Sequence, residues 1–85
     1  MTIKAWQWIG RPSEAPKEWE LIDGQGRTRA QIWQNDASRF TWHTYDDCGV
    51  GGENSEERSS DDARRHCIAS IVIQGWAPCG WRVVS

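Results

Sequence analysis

The runs Arg27-Thr28-Arg29-Ala30-Gln31-Ile32-Trp33 and Arg39-Phe40-Thr41-Trp42-His43-Thr44-Tyr45, separated by Asn35-Asp36-Ala37-Ser38, decide the fold. Both runs are rich in β-branched and aromatic residues, and the turn-forming cluster between them predicts a β-hairpin. Side chains on a strand alternate between its two faces. Ala30 and Ile32 therefore oppose Arg29, Gln31 and Trp33, and Phe40, Trp42 and Thr44 oppose Thr41, His43 and Tyr45. The first set in each run can build a core. The second is polar yet carries aromatics that stability does not require, which is the composition of an interface centre. Trp33, His43 and Tyr45, with Arg29 and Gln31, are therefore expected on an open face. The alternative is that Trp6, Trp8 or the C-terminal segment covers them.

Working outward from the hairpin, Glu18-Trp19-Glu20-Leu21-Ile22 reads as a preceding strand with Trp19 and Leu21 on one side. Asp23-Gly24 follows it, and Asp-Gly is a strong hairpin signal because it accepts positive φ. Ile3 to Ile9 is a further β-rich run, placing Trp6 and Trp8 together, and Gly10 to Pro16 is a proline-punctuated loop. After Tyr45, the glycines at 49, 51 and 52 predict a flexible connection and no regular element. Ala63, Cys67 and Ile71, with Ile68 and Val72 in the next row, give the apolar stripe of a helix over Ser60 to Gln74. Ser59 or Ser60 caps its start, Asp61 and Asp62 suit its positive end, and Gly75 ends it. Trp81 to Ser85 is a last short strand suited to pairing with the N-terminal run.

The predicted fold is α+β: a mainly antiparallel sheet of three to five strands, with one helix in the C-terminal half packed on the Ile32/Trp42 face. This β-β-β-α core makes 1–85 a single domain with no internal repeat. A chain of 85 residues buries only roughly two thirds of its unfolded surface, so its core must use large side chains. Seven tryptophans provide them. They cannot all be interior, and partly exposed Trp is enriched at binding hot spots.

A net charge of −2 and a pI of about 5.6 argue against nucleic acid as the main partner, since phosphate contacts require a basic face. Arg27, Arg29 and Arg39 cluster on the hairpin, so a small DNA- or RNA-binding domain is the alternative function. Three cysteines at irregular spacing make poor material for a disulfide framework. The N-terminus lacks a signal peptide's apolar core and no run reaches membrane-spanning length. The expectation is a cytoplasmic protein without membrane contact.

No catalytic motif is present. His43, Cys48, His66, Cys67 and Cys79 lack the paired spacing of a zinc site, and His66 and Cys67 point about 100° apart on a helix. Cys48 is flanked by Asp46 and Asp47, which disfavour a thiolate, so a Cys48–His43 nucleophile is not expected. Asp46 and Asp47 themselves point to opposite sides of a strand. The glycine-rich stretch lacks the Lys-Ser/Thr ending and β-α setting of a phosphate loop. The chain is expected to be no enzyme, with no metal and no cofactor. More informative is the run of Asp46, Asp47, Glu53, Glu56, Glu57, Asp61 and Asp62, opposed within that interval only by Arg58. It is either a solvated loop with ordinary helix-start charges, or an anionic ridge that steers a protein partner.

The order β-β-β-α, with a Gly51-Gly52-x-x-Ser55 loop before the helix, resembles the three-strand-plus-helix layout of plant-type and phage integrase N-terminal DNA-binding domains, over roughly Trp19 to Trp76. In scale, acidity and lack of enzymatic signature, the chain resembles still more the accessory proteins of phages and mobile elements, of which anti-CRISPR inhibitors are the best known. That resemblance implies a phage-encoded inhibitor in the host cytoplasm, bound to a CRISPR effector or other bacterial nuclease complex and blocking nucleic-acid entry. The expected contact residues are Trp33, His43, Tyr45, Arg29, Asp46, Asp47, Glu53, Glu56 and Glu57. A homodimer is the remaining option.

Overall fold

Three consecutive hairpins, closed by one repeated device, build most of the molecule. A computed structural model describes residues 5–10, 18–35 and 37–84. Its elements are β1 (Trp6–Gly10), β2 (Glu18–Ile22), β3 (Thr28–Gln34), β4 (Phe40–Tyr45), β5 (Gly51–Glu57), α1 (Ser60–Ile73) and β6 (Val83–Val84). They form a six-stranded sheet in the order β5-β4-β3-β2-β1-β6. Neighbours from β1 to β5 are antiparallel, while β6 joins β1 in parallel, with Trp6 beside Val83 and Gln7 beside Val84. Ile3, residues 11–16 of the expected proline loop, Asp36 and Ser85 lie outside the described residues.

At each hairpin an Asp or Asn side chain ties the turn. Asp23 Oδ1 accepts from the N–H groups of Gln25 and Arg27, both at 2.9 Å. Asn35 Oδ1 does the same for Ala37 and Arg39, and Asp46 Oδ1 for Cys48 and Val50. The N–H of the residue three places on donates to the backbone carbonyl of the same Asp or Asn in every case. That residue has positive φ: 83° at Gly26, 59° at Ser38 and 83° at Gly49. Glycine accepts this conformation freely, whereas serine bears a Cβ clash there.

The core lies on one face of the sheet. Trp6, Trp8, Trp19, Leu21, Ala30, Ile32, Phe40 and Trp42 are buried there with Ala63, Cys67 and Ile71 from the helix. The helix packs across β4, β5 and β3. Ser59 caps it by accepting from Asp62 N–H, and Gly75, at φ 75°, ends it. Trp76 N–H then donates to Ile71 O and Gly75 N–H to Val72 O, the two bonds of a Schellman stop. This stop turns Trp76 onto the sheet at Gly52, where an added Cβ would lie only 2.6 Å from its ring.

Three expectations need correction. The sheet is not limited to three to five strands: it is a mixed sheet of six, with one parallel edge pair. The extra strand is β5, whose Gly51-Gly52 start reads in sequence as a flexible connection. Gly52 answers to a packing need, because Trp76 occupies the space a side chain would take. Val72 also leaves the expected helix stripe and is 54% exposed. The helix boundaries, its cap and its Ala63/Cys67/Ile71 stripe match the sequence pattern. No helix among the described residues is long and apolar enough to cross a membrane.

Candidate interaction face

The face opposite the helix carries an aromatic strip set by the β3–β4 register. Gln31 pairs with His43 and Trp33 with Thr41, so Trp33 and His43 are diagonal neighbours. Their rings stack at a centroid distance of 5.2 Å and an interplanar angle of 18°. His43 and Tyr45, two apart on β4, continue the stack at 6.4 Å and 19°. The Tyr45 hydroxyl donates to Gln31 Oε1 at 2.9 Å, which fixes the end of the strip. All three rings are half-buried.

Arg29 is not on this face. Leu21 pairs with Ala30 but Ile22 pairs with Thr28, so Arg29 is the extra residue of a β-bulge. The bulge turns it inward. Its guanidinium carbon lies 4.5 Å from the Trp6 ring centroid, Nε donates to Tyr45 O at 3.1 Å, and NH1 lies 3.5 Å from Asp23 Oδ2. Asp23 also takes Arg27 Nε at 2.9 Å. Burial alone would raise the Asp23 carboxyl, but the Arg27 and Gln25 N–H groups and the Arg27 guanidinium outweigh it and hold the pKa below its ordinary value. The basic hairpin patch expected from Arg27, Arg29 and Arg39 is therefore reduced: one arginine is buried, one is tied to its own turn, and Arg39 remains exposed.

The acidic residues divide among three places. Asp46 is committed to its turn, and Asp47 beside it is exposed while its carbonyl accepts from Arg27 NH1 at 3.0 Å. Glu56 lies opposite Thr41 on the aromatic side and accepts from Asn35 Nδ2 at 2.7 Å. Glu57, opposite the buried Phe40, lies with its Oε2 3.0 Å from His66 Nδ1 on the helix side. Glu53 is exposed on β5, with its N–H donating to Thr44 Oγ1 at 3.2 Å. Asp61 and Asp62 pair with Arg64 and Arg65 on their own helix. One continuous ridge does not form.

Donor atoms of Asp46, Asp47 and Cys48 lie within 4.8 Å of one another. Asp46 Oδ1 is already taken by the Cys48 and Val50 N–H groups, and Asp47 first and then Asp46 push the Cys48 thiol up. Burial pushes Cys67 up to about 12, making it an inert core thiol.

Two carboxylates missed in the sequence belong to the aromatic face. Glu18 stands opposite Trp33, and Glu20 opposite Gln31 and Ile9. Together with Ile9, Gln31 and Trp33 they line a groove along the sheet. The signal was present in the alternation of Glu18-Trp19-Glu20-Leu21: a strand that buries Trp19 and Leu21 must present both glutamates on its reverse. Among the described residues, Glu18, Glu20 and Glu56 have no ion-pair partner. Comparisons with protein-family models, curated proteins and solved structures found no match.

Proposed function

We propose that the chain is a protein-binding module that acts by occupying a cationic surface of its partner and not by catalysis. The partner class suggested by its scale and acidity is a bacterial CRISPR effector or other nuclease complex, inhibited in the host cytoplasm at a surface that otherwise receives nucleic acid. The observation that carries this reading is the half-buried, stacked Trp33–His43–Tyr45 strip bordered by glutamates. Preordered aromatics lose little freedom on binding, and nearby carboxylates favour a cationic partner and speed encounter. Burial of Arg29 and the engagement of Arg27 weaken the nucleic-acid alternative.

The test is capture of partners from bacterial lysate with the tagged chain, followed by affinity measurement on the captured protein. Trp33→Ala should weaken binding by about thirty-fold or more, as at a hot spot worth ≥ 2 kcal/mol. Glu53→Lys/Glu56→Lys should slow association, most strongly at low salt. Unchanged affinity in both variants would remove the proposal. A gel shift that weakens steeply with salt would transfer the function to nucleic-acid binding. Concentration-dependent mass in light scattering would point to self-association.

A further inference from the structure

The molecule satisfies its charges unevenly, and the pattern specifies what the open face takes. On the helix, Asp61 and Asp62 have Arg64 and Arg65, and the Arg64 guanidinium also lies 5.6 Å from the Trp19 ring centroid. The groove between helix and sheet lined by Trp8, Asp61, Arg64, Arg65 and Ile68 therefore carries its own counter-charges. At the first hairpin turn, Asp23 has Arg27 and Arg29. On the aromatic face, Glu18 and Glu20 border Trp33 without a described cation in ion-pairing range. Glu20 is held by the Thr28 hydroxyl at Oε1, which leaves its other oxygen available. The exposed Arg39 flanks the Trp33 end of the strip, where its carbonyl accepts from Asn35 N–H, and it forms no ion pair with Glu18 or Glu20.

Resting on the assignment of this face as the contact surface, we propose that it receives an arginine side chain of the partner protein. Its guanidinium stacks on the Trp33 face turned away from His43 and hydrogen-bonds to the Glu18 and Glu20 carboxylates. A planar guanidinium stacks on aromatic faces and presents paired N–H donors to a carboxylate; a lysine ammonium does neither as well. The near-parallel stack leaves one Trp33 face turned away from His43, and Glu18 stands opposite Trp33, which together match that shape. The molecule already uses the same combination internally, where Arg29 lies over Trp6 and beside Asp23.

Calorimetric titration of the intact chain with an oligo-arginine peptide and an oligo-lysine peptide of equal length tests this. The arginine peptide should bind about ten-fold tighter or better, and Glu18→Gln/Glu20→Gln should remove most of that advantage, again about ten-fold. Glu18 is exposed, and a glutamine at position 20 keeps an acceptor for the Thr28 hydroxyl, so the double variant should keep the parent unfolding curve. Equal affinity for the two peptides, no binding of either, or indifference to the double variant would overturn the assignment. On the captured partner the two proposals separate. Loss with Trp33→Ala but none with Glu18→Gln/Glu20→Gln overturns the arginine contact and keeps the face; loss with neither overturns both.

Discussion

The two faces of the sheet solve opposite problems with the same kinds of residue. Both carry tryptophan, and both carry carboxylates. On the helix side, Trp42 is 4% exposed and the deeply placed charges of Asp23 and Arg29 neutralise one another. On the reverse, Trp33 stays half-buried in a strip of stacked rings and the glutamates beside it have no described counter-ion. Similar composition thus gives, among the described residues, a closed side whose charges are paired and a reverse whose glutamates are not. Stability should reside in the first and recognition in the second.

The sharpest way to break that contrast is through the buried pair. Asp23→Ala would strand Arg29 inside the protein and remove two turn hydrogen bonds, with an expected loss of about 3–5 kcal/mol in urea unfolding. The pair also fixes an acid response. The Asp23 carboxyl titrates lower when folded than when unfolded, so its stabilisation is complete above the unfolded aspartate pKa and is lost as pH falls through the lowered folded value. Asp23→Asn should flatten that part of the stability–pH curve.

Matched truncations sharpen the comparison. Trp42→Ala should cost about 3–5 kcal/mol, whereas Trp33→Ala should cost about 1 kcal/mol or less while carrying the larger binding defect. A costly Trp33→Ala without a binding effect would make the outer strip structural. Gly52→Ala probes how the closed side is sealed. Its Cβ would meet Trp76 at 2.6 Å, Gln74 Nε2 at 2.9 Å and Thr44 Oγ1 at 3.0 Å, for an expected loss of about 1–3 kcal/mol. Smallest is Ser38→Gly, a gain of up to about 1 kcal/mol in thermal or urea unfolding, because it relieves positive φ at the one turn lacking glycine there. It should leave binding unchanged.

How far the sequence was legible follows from which signals are local. The β3–β4 hairpin, the Ser59 cap, the Gly75 stop and the Ala63/Cys67/Ile71 stripe depend on neighbours within a few residues, and their patterns predict them. Arg29 misled because strict alternation holds only without bulges, and the bulge depends on how β2 and β3 pair. The β5 glycines misled because the reason for Gly52 lies in Trp76, on the other side of the helix in sequence. The turns were more readable than the expectation of no repeat allowed. Asp23, Asn35 and Asp46 each precede a positive-φ Gly or Ser by three residues, a short recurring signature. Trp33, His43 and Tyr45 emerged together because they require only one register, whereas Glu18 and Glu20 needed a third strand to be placed beside them.

The margin at β5 has one more consequence. It is the outermost described strand on its side, and along Gly51–Glu57 it carries Glu53 and Glu56 at the surface. Two copies approaching margin to margin would bring like charges together along an otherwise inviting row of backbone amides and carbonyls. The strand thus discourages ribbon growth among its own kind even at high local abundance, while leaving that rim approachable by a chain of opposite sign.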